Sequence, residues 1–286
     1  MKKYSILMIV TVIVLLTMAC SFTVNLPTIE TGPDQTFDIK EASPSGNEPF
    51  DVNLKIGAAK INFTGGAKGL VDGTIVYNVV DWKPTITRTD SSLEINQGKV
   101  SDVGGFNLKD IKNNWTLKFT DKTPLNVDIN AGAYQGKMDF SGVPLASLAI
   151  TDGASDNTVT FNSPNPTVMS ELSYTTGAST VTLKGLGNAN FENMTFTGGA
   201  GTYILDFTGT LKQDAFVKVE AGVSTTKIIV PAGMKVVVDV EGGIKTVNTQ
   251  GTWTANGTSY ETGGSGPTLT MKINTNLGTL SLIQEK

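Results

Sequence analysis

The residues able to do chemistry are few, and their types exclude most catalytic schemes. The 286-residue chain has no histidine and one cysteine, Cys20. Without imidazole there is no Ser-His-Asp or Cys-His pair and no histidine general base. One thiol makes neither an internal disulfide, nor a CxxC redox pair, nor a Cys-ligated zinc site. Carboxylates remain. Asp152 and Asp156 flank a glycine in "TDGASDN", a spacing that could hold Ca²⁺ with backbone carbonyls and that turn chemistry reads more simply as two Asx turns. "GGAGTY" at 198–203 follows the calcium repeat G-G-x-G-x-D up to its last position, where Tyr203 replaces the ligand. The expectation is therefore a chain without catalytic residues, metal or cofactor.

Aromatic pairs are the better candidates for ligand contact. In "GTWTANGTSYE", Asn256-Gly257 is a two-residue hairpin signal. A loop of those two residues would set Trp253 opposite Tyr260, with both rings on one face as a sugar or peptide platform. The plainer alternative is that the rings cap an open end of the fold. Tyr77 and Trp82 in "YNVVDWKP" carry the same two readings, ligand contact or core.

Around these residues the composition is that of an all-β protein. Glycine is frequent (31 residues), charged residues make up only 17%, and Thr, Val, Ile and Phe recur in alternation. The net charge is −4 and Arg88 is the sole arginine, so a nucleic-acid surface, which needs clustered positive charge, is excluded.

The one helix-forming stretch is at the start. Lys2 and Lys3 precede an apolar run, Tyr4 to Leu16, followed by Thr17-Met18-Ala19-Cys20. About 16 residues are too short to span a bilayer but suit a secretory signal. "TMAC" resembles the lipobox of bacterial lipoproteins, with Thr17 standing where that motif usually has Leu. The resemblance implies a signal peptide at 1–19, a diacylglycerol on Cys20 that becomes the new N-terminus, and attachment to membrane lipid at the extracytoplasmic face of the envelope. Residues 20–47, with Pro27, Pro33 and Pro44 among polar residues, have the composition of a flexible tether, with at most a short strand at Thr36–Lys40.

Beyond the tether one phrase returns: an alternating run, Gly-Ala or a near variant, then a second alternating run. Examples are "VNLKIGAAKINFTGG" at 52–66, "VDINAGAYQGKMDFSG" at 127–142, "LSYTTGASTVTLKG" at 172–185 and "VKVEAGVSTTKIIVP" at 217–231. Gly132, Gly153, Gly177, Gly199 and Gly222 stand 21, 24, 22 and 23 residues apart. Such a period signals a β-solenoid of stacked coils, here expected as two short strands per coil meeting at a glycine corner, about ten coils in all. Strands are further expected at Gly73–Tyr77, Lys83–Arg88 and Ser92–Gln97. The domain organisation read from these patterns is an entry section at 48–120, regular coils at 121–286, and a hairpin insertion at about 248–268. A β-sandwich is the structural rival.

"GAAKINFTGGAKGLVDGTIVYN" (57–78) followed by "WKPTI" (82–86) resembles the N-terminal module of the bacterial toast-rack family. The later Gly-Ala corners resemble its partner regions and the "putative adhesin" and cell-wall-active antibiotic response families. The resemblance implies extracytoplasmic β-solenoids without assigned catalytic residues. The expected function is a non-enzymatic, lipid-anchored envelope protein acting as a binding, adhesion or sensing module, with a cell-wall glycan or a membrane protein as partner. A passive scaffold or an accessory subunit of a membrane signalling complex is the alternative. A calcium-dependent carbohydrate-active enzyme is the third, and it would need an acid cluster beneath a Lys or Arg. Mass spectrometry of the mature protein should find an acylated Cys20 as its first residue, and Cys20→Ala should release the chain from membranes into the soluble fraction. An unmodified Cys20 in the mature protein overturns the anchor.

Overall fold

The computed structural model describes residues 29–46, 48–98, 110–244 and 246–285. The signal run, Cys20 and the first part of the expected tether, to residue 28, lie outside the described residues. The chain divides into two units, and the fold below is that of residues 31–100 and 111–286. It is all β apart from two 3-10 turns. Among the described residues no helix is long and apolar enough to cross a membrane.

The entry section supplies β1 (Gln35–Glu41), β2 (Phe50–Gly65), β3 (Val71–Tyr77), β4 (Thr85–Arg88), β5 (Ser92–Asn96) and β6 (Asn113–Phe119). The regular coils are β7 (Leu125–Asp139), β8 (Leu145–Thr160), β9 (Met169–Lys184), β10 (Phe191–Asp206) and β11 (Ala215–Val230). The last part contains β12 (Lys235–Gly242), β13 (Val247–Gln250), β14 (Trp253–Asn256), β15 (Ser259–Thr262) and β16 (Thr268–Gln284). All sixteen belong to one sheet. The strands β2, β7, β8, β9, β10, β11 and β16 lie parallel in that spatial order. The β-solenoid expectation therefore holds, and the boundary expected near residue 120 falls where β2 and β7 are hydrogen-bonded neighbours.

Each coil differs from the expectation in one respect. It carries not two short strands but one strand of 15 to 17 residues bent at the Gly-Ala corner or, in β16, at Asn276-Leu277. In β9 the buried residues Leu172, Tyr174 and Thr176 alternate up to the corner, Gly177 and Ala178 both face outward, and alternation resumes with Ser179, Val181 and Leu183 inside. Strict alternation would turn the second arm's apolar residues to solvent. The outward pair shifts the phase by one residue, so both arms line the same interior.

The corner glycines are required by close approach and not by handedness. None of Gly132, Gly153, Gly177, Gly199 or Gly222 has a positive φ. A Cβ on Gly132, Gly153, Gly199 or Gly222 would lie 2.5–2.9 Å from the carbonyl oxygen of the corner glycine one coil before, and one on Gly177 would collide with the carbonyl of Gly153. The backbones are stacked tightly there and exclude any side chain.

Between the arms runs a core of Val, Leu, Ile, Phe and Met that is almost wholly buried. Phe63, Phe119, Phe140 and Phe161 form a ladder of rings with centroids 5.7, 5.7 and 6.4 Å apart. Burying each such side chain stabilises the fold by about 1.5–3 kcal/mol, and no coil could hide its inner face without neighbours.

Both ends of the parallel stack are finished in the same way. Beyond β2, one arm is covered by β5 and the other by β6. Beyond β16, β12 covers one arm and β13 the other. Antiparallel strands then close the ends: β4 on β5, β3 on β6 and β1 on β3 at the first, β15 on β12 and β14 on β15 at the second. The strand expected at Thr36–Lys40 is β1. These end strands use chain that the count of ten coils had assigned to the stack, leaving seven bent strands among the described residues.

Gly177→Ala should therefore lower stability by about 1–3 kcal/mol through backbone displacement, whereas Gly263→Ala, which meets nothing within 4 Å, should leave it nearly unchanged. Denaturant unfolding of the two variants checks this, and equal midpoints would contradict the close-approach account.

Candidate functional site

The aromatic candidates separate into two environments. Tyr77 lies at the end of β3 and is buried, its hydroxyl donating to Gln35 Oε1 at 2.9 Å. Trp82 closes the turn Val80–Trp82 at 2% exposure. Both rings are filled against protein and present no face to solvent.

Trp253 and Tyr260 are half-buried and pack on the core from the closing hairpin. Their register differs from the expected one. Asn256 pairs with Ser259, Ala255 with Tyr260 and Trp253 with Thr262, so the loop is Gly257-Thr258. Gly257 has φ +63°, while Asn256 keeps an ordinary strand φ. Glycine at the first loop position is the type II′ pattern, and it moves the pairing by one residue from the expected Asn-Gly loop. Trp253 and Tyr260 still share a face, as diagonal neighbours. That face looks onto the last coil: Tyr260 pairs with Val238 and Thr262 with Val236, and Thr262 Oγ1 donates to Met234 O at 2.7 Å. Trp253 Nε1 donates to Gln250 O at 3.2 Å, joining the hairpin to β13. The hairpin thus folds from one arm towards the other across the end of the stack.

On the corner side of this cap a cavity of about 450 Å³ stays open. Tyr260, Ile244, Val247 and Val240 give it apolar walls, and Glu241 and Thr258 add a carboxylate and a hydroxyl. The sequence made Tyr260 visible through the hairpin signal. Ile244 and Val247 were not visible, because one lies just before β13 and the other opens it, and neither follows the repeat.

A second cluster lies inside the stack, and the sequence reading missed it. Asp152 faces the interior of β8 at 6% exposure, whereas Asp156 is exposed. Both belong to a continuous strand, so they neither form Asx turns nor point at a common ion. The Asp152 carboxylate accepts hydrogen bonds from Tyr174 Oη (2.9 Å), Ser155 Oγ (3.0 Å), Tyr134 Oη (3.1 Å) and Ser179 Oγ (3.3 Å), and from Thr176 Oγ1. Asn157 Nδ2 donates to Tyr174 Oη at 3.1 Å. Aligning the repeats on their corner glycines would have exposed the cluster: Ala131, Asp152, Thr176, Gly198 and Ala221 form one inward column, and Tyr134 pairs with Ser155 on the opposite arm. These columns sit in the angle of the bend, where most side chains are small and rings are placed over a glycine. Gly136 leaves room for Tyr134 and Gly198 for Tyr203, which explains why Tyr203 occupies the position where a calcium repeat has Asp.

The chemistry of this cluster is structural. A buried carboxylate surrounded by hydroxyl donors has its charge spread over short polar contacts. Burial pushes the Tyr134 phenol far above its usual range, with the adjoining Tyr174 and Asp152 adding to the effect. Tyr174 is raised by burial and then by the Asp152 charge, and Tyr203 rises for the same two reasons. Among the described residues no group of three or more Cys, Asp or Glu is placed to hold a metal ion. Arg88 is engaged elsewhere: it pairs with Glu41 at 2.9 Å, donates to Ala42 O at 2.8 Å and lies 5.3 Å from the Phe50 ring centroid, tying β4 to the end of β1.

Fold and sites together define a β-solenoid protein capped at both ends. Residues 29–170, from the approach to β1 into β9, match the family model described as the N-terminal domain of toast_rack, DUF2154. No curated protein matches the chain. Similar solved structures include a "putative cell adhesion protein" of Clostridium sporogenes, 22% identical, covering 88% of this chain and 99% of that one at a TM-score of 0.49. A "putative adhesin" of Bacteroides fragilis is 12% identical, with coverages of 90% and 99% and a TM-score of 0.35. A "putative lipid binding protein" of Parabacteroides distasonis is 14% identical, with coverages of 91% and 100% and a TM-score of 0.39.

The raised phenols carry a pH consequence. Tyr134, Tyr174 and Tyr203 hold their protons in the folded state above the pH at which the unfolded chain releases them, near 10. Their contribution to stability is complete below that pH and is lost above it, by up to about 1.4 kcal/mol per pH unit for each tyrosine. Phenolate absorbance of these three should appear only together with loss of the β circular dichroism signal. Ionisation of these three near pH 10 with the fold intact would contradict the buried cluster.

Proposed function

We propose that this chain is a non-enzymatic binding module of the cell envelope, held at the extracytoplasmic face of a membrane by lipid on Cys20, and that it engages a cell-wall glycan at its cap. The observation that carries the reading is Tyr260 in the wall of the 450 Å³ cap cavity, with Glu241 and Thr258 at the same opening. A half-buried phenol ring offers a flat apolar face for the C–H side of a sugar, and a carboxylate and a hydroxyl beside it accept and donate to sugar hydroxyls.

The absence of enzyme function is supported by the residue inventory. The chain has no histidine, its buried carboxylate is engaged by hydroxyls inside the core, and its one arginine is held by Glu41 and Ala42. A passive scaffold is the second reading, favoured by the unbroken glycine stack.

Sedimentation with purified cell-wall material, followed by a glycan array, tests the proposal. The native chain should bind, and Tyr260→Ala should reduce binding about tenfold or more, as expected for loss of one ring contact and its wall, while thermal unfolding shows the coils intact. Failure of the folded native chain to bind any envelope fraction overturns recognition and leaves the scaffold.

A further inference from the structure

A second cavity, of about 600 Å³, opens near the first coils, far from the cap in strand order. One side chain from each of five adjacent strands lines it: Thr85 of β4, Asn96 of β5, Lys55 of β2, Asn130 of β7 and Thr151 of β8, each in register with the next. Every member of this column can form hydrogen bonds, and the strand spacing sets them about 4.8 Å apart. Gly57 and Gly132 add bare backbone to the lining, so a flat group can come close.

Gln97 also lines the cavity and distinguishes it from an ordinary crease. It is buried at 4% exposure, and its amide orientation is fixed by neighbours. Trp115 Nε1 donates to Asn113 Oδ1 (2.9 Å), which directs Asn113 Nδ2 to Ala58 O and to Gln97 Oε1 (2.7 Å each). Gly57 N donates to the same Gln97 oxygen at 2.9 Å. The oxygen of Gln97 is thus committed, and its Nε2 remains a buried donor without an acceptor. Buried polar groups are normally paired, and one left over beside a cavity calls for an acceptor from outside the chain.

The surrounding charge selects the kind of acceptor. Lys55 is paired with Glu94 at 2.8 Å, and Asp128 holds Asn130 at 2.6 Å. The neighbourhood carries no excess positive charge, which disfavours an anion, and the walls offer no large exposed apolar side chain for the side chains of a peptide. We infer that this cleft binds a neutral acetamido sugar chain, its acetamido carbonyl accepting from Gln97 Nε2 and its hydroxyls meeting the Asn, Thr and Lys column. The inference stands apart from the cap reading and uses none of its residues.

Titration of the ¹⁵N-labelled full chain with tri-N-acetylchitotriose, and in parallel with cellotriose, tests it through the side-chain amide signals. Saturable shifts of the Gln97, Asn96 and Asn130 amides are expected with the acetylated sugar and not with cellotriose. The double variant Asn96→Ala, Asn130→Ala, altered only at strand faces outside the core, should weaken binding about tenfold, and Tyr260→Ala should leave it unchanged. An unshifted Gln97 amide at saturating sugar, equal shifts with both sugars, or indifference to the double variant overturns the inference. Shifts confined to the cap would overturn it while leaving the cap reading in place.

Discussion

The structure depends on how closely one corner backbone can approach the next. At the bends of β7 to β11 the Cα of a glycine faces the carbonyl oxygen of the corner glycine one coil earlier, at a distance that no Cβ tolerates. The bend is made without positive φ, and although the corner glycines themselves are unpaired, neighbouring strands keep the same register on both sides of it, so a single strand serves both arms. This continuity fixes register. A slip of one residue would bring a side chain onto the corner stack and turn both inner faces outward at once. The same constraint accounts for the repeat period, since each coil must contain one bent strand and a return segment that brings the next glycine over the last.

The tight corner has a cost inside. The angle of the bend leaves little room, and in β9 to β11 its inner columns hold Ala, Gly, Ser and Thr. Where three coils widen the space, Tyr134 and Tyr174 fill it and bring hydroxyl groups into the core, and Asp152 collects them. A carboxylate with this many donors is well satisfied, but each donor depends on it, and the three coils become one polar unit. Further along the stack Tyr203 fills the angle by the same device, its ring set over Gly198.

Much of this was legible in the sequence, and the misses have physical causes. The Gly-Ala spacing announced the stack, and alternation identified residues such as Leu172, Tyr174, Val181 and Leu183 as inward-facing, because these signals arise within a few residues. The unbroken strand through Gly177 was not legible, because a glycine reads equally as a turn with positive φ or as a site of close approach, and only the neighbouring coil decides. The register of the last hairpin was misjudged for a related reason: Asn-Gly suits one loop type strongly, but packing of Tyr260 and Thr262 on β12 determines which pair of residues turns. Asp152 was visible as an acid next to a glycine, yet its direction depends on the phase shift at the corner, which single-strand alternation does not contain. The cap cavity was half legible, through Tyr260 and not through Ile244 or Val247.

The order of strands at the cap adds a constraint that no local pattern carries. After β11 the chain does not lay down the next coil. It places β12 one position further on, makes the β14–β15 hairpin, and only then returns as β16 between β11 and β12. The final strand therefore lies between neighbours on both sides, and its inner residues Leu269, Met271, Ile273, Leu280 and Leu282 are buried. Until it arrives, β11 lacks its partner and the hairpin has no coil to close. Two of the strands that carry cap residues, β12 and β13, pair with this final strand, so the geometry of the cavity depends on it. A surface built in this way is held by the final strand and supported from below by the stacked coils.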